Sequence, residues 1–246
     1  MMFEDSSKCD NKMESNSSMQ KRPWAIGTEE NRDYWEKKYA TAKLFMKSRY
    51  SIPSLLIEIA AQHPLVDGKK PNEEFSQRLL LGKMLYEREK KRDIKVEIYV
   101  PGSLHIFKGR ADKISLSEAG IKFLSQLGIP LEVLHGDDLN VKYKGIDGVY
   151  NSADECFVAA SYFKENNFGR LYSVLSPVQL FRKTLHYMEF GVLPQNYTAP
   201  VSETFHNYIG EIFEAIPYVL FIDPGMQGQD SIRSQETREE RKPKVT

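Results

Sequence analysis

Apolar residues along this chain fall into two alternating patterns: short, nearly unbroken runs, and longer stretches spaced at three and four. The runs are IPSLLIEIAA (52–61), IKVEIYV (94–100), LEVLHG (131–136) and RLYSVLS (170–176), with VLPQNYT (192–198) as a fifth. They are bounded by Pro, Gly or polar residues, which is how buried strands read. Between them lie helical patterns. From about Asn72, Phe75, Leu79, Gly82 and Tyr86 share one face. In 115–128, Leu116, Ala119, Phe123, Leu124 and Leu127 recur at helical spacing, opened by Ser115 and Glu118 as a capping box and closed on Gly128. In 151–166, Ser152 and Glu155 form a second box, with Cys156, Phe157, Ala160 and Phe163 inward. A helix after the fourth run turns Val178, Phe181, Leu185 and Met188 inward, starting at Ser176, Pro177 and Gln179 as a box with proline at the first helical position. An N-terminal helix, about 29–47, offers Tyr34, Tyr39 and Phe45 for packing. A last one, about 200–215, carries Phe205, Tyr208, Ile209, Ile212 and Phe213. YVLFIDP (218–224) reads either as a late edge strand or as an extension of that helix.

Strand and helix alternating in this way predict an α/β fold: a doubly wound, mostly parallel, Rossmann-like sheet with helices on both faces. It would form one domain over 26–224, between polar tails 1–25 and 225–246 of disordered composition. In such sheets ligands bind beyond the carboxyl ends of the strands, where strand order reverses. The segments there are Ala61-Gln62-His63, Pro101 to His105, His135 to Asp138, and Ser176 to Gln179.

Composition narrows the function classes. Lys and Arg balance Asp and Glu at 34 each, so no overall field draws the chain to nucleic acid or an anionic surface, and no nucleic-acid partner is expected. Cys9 and Cys156 are too few for a disulfide framework and lack metal spacing. No run approaches the ~18 apolar residues of a membrane span, and the polar N-terminus lacks the apolar centre of a secretory signal. A cytoplasmic protein with a small-molecule ligand is the expectation.

The standard signatures are missing: no G-x-G-x-x-G after a strand, no phosphate-binding G-x-x-x-x-G-K-[ST], no G-x-S-x-G and no H-E-x-x-H. Softer candidates occupy the rim. The loop 101–113 carries Ser103, His105, Lys108, Arg110 and Asp112, and the helix start at Ser115 offers N–H groups to an anion. His105 and His63 are the candidate bases. His135, Asp137 and Asp138 read either as a divalent-cation site or as a solvated turn. At the 151 helix start, Ser152 and Glu155 are engaged by capping, leaving Asn151 and Asp154 freer to meet a ligand. Cys156 and His186 read as packing residues. Arg182, one turn inside its helix, is placed to hold an anion.

The pieces FSQRLLLGKMLYE (75–87), LSEAGIKFLSQLGIPLEVLHGDD (116–138) and NSADECFVAASYFKENNFGRLYSVLSPVQLFRKTLHYMEFGV (151–192) occur in an order that resembles the family of YdcF, ElyC and SanA, domain of unknown function 218. The resemblance runs from about Ser54 to Tyr197. It implies a doubly wound fold with a cleft at the strand ends, small-molecule binding that in some members includes S-adenosylmethionine, and an association with bacterial envelope maintenance, without a reaction common to the family. By position, the cleft would include Ser103, Glu118, Asn151, Ser152, Ser176, Gln179 and Arg182. Two departures stand out: Ala60-Ala61-Gln62-His63 where the family has a glycine-rich turn, and Gln179 where it commonly has histidine. Glutamine cannot shuttle a proton near neutral pH. The resemblance therefore implies either a protein acting on a nucleotide-like or phosphorylated small molecule, or a non-catalytic ligand sensor or scaffold.

Overall fold

The computed structural model describes residues 29–62, 64–104, 106, 107, 110–137 and 148–199. Helix α1 (Glu29–Arg49) leads into strand β1 (Ser54–Ile59), and helix α2 (Glu73–Lys90) connects β1 to β2 (Lys95–Val100). Two short strands follow, β3 (Ile106–Phe107) and β4 (Arg110–Ala111), then helix α3 (Leu116–Gln126), a 3-10 turn at Leu131–Val133 and β5 (Leu134–Gly136). Helix α4 (Ser152–Glu165), β6 (Arg170–Leu175), a 3-10 turn at Pro177–Gln179, helix α5 (Leu180–Glu189) and β7 (Gln195–Thr198) complete the described order. Five strands form one parallel sheet in the order β5-β2-β1-β6-β7. The fold is α/β and Rossmann-like, as the alternation predicts.

Strand β1 is buried along its whole length, and its side chains divide by the two-residue period. Leu55, Ile57 and Ile59 meet Phe75, Leu79, Leu116 and Ala119 of α2 and α3. Leu56 faces the other way, toward Cys156, Ala159 and Phe163 of α4 and Tyr187 of α5, with Phe45 and Met46 of α1 packed on the same side. Helices thus cover both faces. Gly82 explains the close seat of α2: a Cβ there would stand 2.3 Å from Ile59 Cδ1. Helix α1 is anchored by Trp35, fully buried against Leu185 and Met188. Burying such a ring contributes about 2–3 kcal/mol. Tyr34 and Tyr39 pack at that cluster's edge.

The chain runs outward from β1 through β2 to β5, then returns to β6 on the other side of β1. Strand order reverses between β1 and β6, so the crevice of this fold class lies beyond Ile59 and Leu175.

Several boundaries differ from expectation. The 101–113 loop contains the antiparallel β3–β4 ribbon. Only Leu134–Gly136 of the third run is strand, because Pro130 starts a 3-10 turn. The cap of α4 is Asn151, whose side chain accepts from Asp154 N, and Ser152 is the first helical residue. Phe157, Val178 and Phe181 are half-buried, whereas Leu185 and Met188 are fully inside. The expected last helix, the run 218–224 and both tails lie outside the described residues. No described helix is long and apolar enough to cross a membrane.

Candidate functional site

At the reversal point an arginine ties the two sides together. Arg78 projects from the second turn of α2 and is fully buried. Its NH1 donates to the carbonyls of Ala60 and Ala61, both at 3.1 Å, beyond the end of β1. Its NH2 donates to Ser176 Oγ at 3.0 Å, beyond the end of β6, and to Gln62 Oε1 at 3.4 Å. The same NH2 pairs with Glu74 one turn earlier on α2. A planar guanidinium can bridge two loops in this way because its donors point in fixed directions. Arg78 Nε is buried and has no hydrogen-bond partner among the described residues.

Beneath the same rim, on the α4–α5 face, lies a buried ionic cluster. Lys183 of α5 donates to Glu58 Oε1 at 2.6 Å and to Glu155 Oε2 at 3.0 Å. Ser173 Oγ donates to Glu58 Oε2 at 2.6 Å, from the position registered opposite Glu58 across the β1–β6 ladder. Lys183 and Glu58 side chains are fully buried, while Glu155 keeps 11 % exposure. Burial pushes the Glu58 carboxyl above its ordinary range, Lys183 pulls it back, and Glu155 pushes it up again. Burial alone would lower the Lys183 ammonium pKa, but Glu155 and Glu58 carry it well above its usual value. Lys183 is therefore the charged hub between two carboxylates. Cys156 lies alongside, with Sγ 3.8 Å from the Lys183 carbonyl. Burial drives that thiol upward, so it is a core residue rather than a nucleophile.

A third group closes the β2–β5 end of the rim. Asp137 accepts from the Tyr99 hydroxyl at 2.8 Å and from Gly102 N, fixing the turn after β2 to the end of β5. Burial pushes its carboxyl up to about 6, against the two hydrogen bonds that lower it; Glu155 and Asp154 add to the rise. His135 turns elsewhere, with Nε2 2.8 Å from Glu97 Oε2. The Glu97 carboxyl is raised by desolvation but held below its ordinary range overall by Lys95, the Tyr162 hydroxyl and His135. His135 and Asp137 are thus engaged separately, and no group of three metal-ligating side chains is found among the described residues. Asp138 lies outside them.

The expected site residues divide accordingly. Ser103 is buried, accepting from Val149 N at 2.8 Å, which holds the turn after β2 against the segment before α4. Asn151 and Asp154, expected to be free for a ligand, hold backbone instead: Asn151 Oδ1 accepts from Asp154 N at 2.9 Å and Asp154 Oδ2 from Tyr150 N at 3.1 Å. Of the pair expected to cap, Ser152 is displaced into the helix and Glu155 faces Lys183. The physical reason is that an N-cap must itself be extended, and Asn151 is the extended residue. Ser115 caps α3 by accepting from Glu118 N at 2.9 Å, but Glu118 completes no box; it pairs with Lys122 on the helix surface. Ser176 and Gln179 do close their box, with Ser176 N reaching Gln179 Oε1 at 3.5 Å. Arg182 is half-buried in the first turn of α5, its charge reaching Cys156. His186 is buried in packing. His63, His105 and the Arg110 side chain lie outside the described residues.

The structure therefore gathers Ser176, Gln179 and Arg182 at the β6–α5 junction, and Ser103 with Asn151 near the start of α4. Glu118 stands apart. Arg78, Glu58 and Lys183 went unnoticed as site residues, although a glutamate inside SLLIEI was a visible signal. Fold and rim together define a doubly wound parallel α/β protein with a charge-lined reversal point. Compared with models of known protein families and with curated proteins, the chain matches none.

Proposed function

We propose that this chain is a small-molecule-binding protein of the YdcF, ElyC and SanA kind, with its ligand at the carboxyl edge between β1 and β6. The observation that carries this reading is Arg78: a fully buried guanidinium joining the two loops of the reversal point, with one buried N–H still unpartnered among the described residues. Arg182 adds a second cation from α5, and the Gln62 side chain beside Arg78 and the Gln179 side chain at the start of the same helix supply amide groups. Such a set suits an anionic, nucleotide-like or phosphorylated small molecule; the carboxylate of S-adenosylmethionine falls in the same class.

Binding without turnover is the favoured form. Ser103, Asn151 and Ser176 are engaged in holding backbone or Arg78, Cys156 is a raised, buried thiol, and Gln179 occupies the position of the family's histidine. This is the behaviour of a ligand sensor or scaffold. The test is thermal melting of the full chain against S-adenosylmethionine, mononucleotides and sugar phosphates. At least one should raise Tm, and Arg182→Ala should abolish that shift, read against the variant's own ligand-free Tm. A panel without any shift, or a shift indifferent to Arg182→Ala, would overturn the anion role at this edge.

A further inference from the structure

We propose that the opposite, amino-terminal edge of the sheet is a second binding surface, for a single-stranded nucleic acid. Charge neutrality of the whole chain conceals a strong local segregation. From Lys37 to Ile57 the sequence holds five cations (Lys37, Lys38, Lys43, Lys47 and Arg49) and no acid. Helix α1 delivers the last three to the edge where β1 begins. Lys43, Lys47 and Tyr50 are spaced at i, i+4 and i+7, one helical face. They line a groove of about 660 Å³ together with Arg170 and Tyr172. Tyr50 is 72 % exposed.

Arg170 joins this groove to a second basic group. The buried Glu89 carboxylate is approached by Arg88 at 2.7 Å, Arg92 at 3.3 Å and Arg170 at 4.0 Å. One carboxylate for three guanidiniums leaves two positive charges uncompensated within the cluster. Lys90 and Lys91 follow on the exposed end of α2, with Asp93 in the turn after them, while Lys95 at the start of β2 is paired with Glu97 at 2.7 Å. A helix C-terminus carries only about half a negative charge, so the ends of α1 and α2 offset about one of these cations.

The chemistry of the groove selects the partner. Arginine and lysine match phosphate oxygens, and an exposed tyrosine ring offers a stacking face to a base. A groove with cations on its walls and a ring at its mouth follows a single strand, whose bases are free to stack. A duplex keeps its bases within its own stack, and a bilayer presents a flat surface. The ligand crevice at the carboxyl edge plays no part in this contact.

The experiment is fluorescence anisotropy of this chain with a labelled oligothymidine of about 16 nucleotides, titrated across a salt series. About four neutralised phosphates would give a log–log salt slope near −3. Lys43→Glu combined with Lys47→Glu should weaken binding more than tenfold and flatten the slope, and Tyr50→Ala should weaken it about tenfold. All three positions are exposed, so melting temperatures should hold. Arg182→Ala, at the other edge, should leave oligonucleotide binding unchanged. No salt-dependent binding at low ionic strength would overturn the proposal. So would affinities indifferent to both variants, or a duplex or phosphatidylserine vesicles competing as well as the single strand.

Discussion

Replacing Lys183 with methionine tests the buried cluster most directly. At an effective dielectric of about 20, each of its contacts with Glu58 and Glu155 amounts to about 6 kcal/mol of Coulomb attraction. Withdrawing each of the three ions from water costs several kcal/mol, so the intact cluster sits near break-even. The variant does not. It leaves Glu58 fully buried with the Ser173 hydroxyl as its hydrogen-bond donor and Glu155 as a like-charged neighbour. Removing one partner of a buried pair costs about 3–5 kcal/mol; at about 2–4 °C per kcal/mol for a chain of this size, Tm should fall by about 10 °C. The pH dependence has a definite sign. Without Lys183 the Glu58 carboxyl rises further in the folded state, and a raised acid loses stability as pH climbs, so the deficit should be largest near pH 7–8 and shrink toward pH 5. Adding Glu58→Gln should recover at least half of the loss, because the remaining carboxylate, Glu155, reaches solvent. Urea unfolding of the two single variants and the double variant measures this coupling. A loss under about 1 kcal/mol for Lys183→Met, or strict additivity in the cycle, would refute the hub role of Lys183.

Asp137, raised from an ordinary 3.8 to about 6 when folded, makes the protein lose about 2 kcal/mol of stability as pH rises from about 4 to about 6. Asp137→Asn should remove that slope from urea midpoints measured over the same range, and an unchanged slope would assign it elsewhere. Asn151→Ala should cost about 1 kcal/mol in chemical denaturation and Ser152→Ala close to nothing, the reverse of what a Ser152 cap requires. Arg78→Lys keeps the charge but cannot bridge Ala60, Ala61 and Ser176 at once, so a loss of about 2–3 kcal/mol is expected. Gly169→Ala would set a Cβ 2.1 Å from the Ile52 carbonyl oxygen, forcing backbone apart where α1 hands over to β1; Tm should drop more than for Gly191→Ala, which meets only the flexible end of Lys164 at 3.5 Å and costs about 1 kcal/mol for a left-handed backbone at φ +68°.

Hydrophobic patterning made the alternation, all five strands of the sheet and the described helices legible, because a strand covered on both faces reads as a short unbroken apolar run, whereas a helix buried on one face spaces its apolar residues at three and four. The Ser176–Gln179 box was legible for the same local reason: its partners lie three residues apart. The start of α4 shows where local reading stops. Asn151 and Ser152 are both good caps by type, and which one is extended depends on how the preceding segment is held, here by Val149 against Ser103.

The site lay further from reach. Glu58 and Lys183 are separated by 125 residues, as are Arg78 and Ser176 by 98, and no spacing rule spans such gaps. Nor did an even count of charges reveal that Lys43, Lys47, Arg88, Arg92 and Arg170 meet at one edge. The sequence by itself determined where the five strands of the main sheet and the described α-helices lie, since those depend on neighbours within a turn or two. Only the tertiary structure decided which charges share a dielectric interior and which share a surface, because Coulomb interaction depends on distance in space and on exclusion of water, and both are set when the sheet reverses its order between β1 and β6.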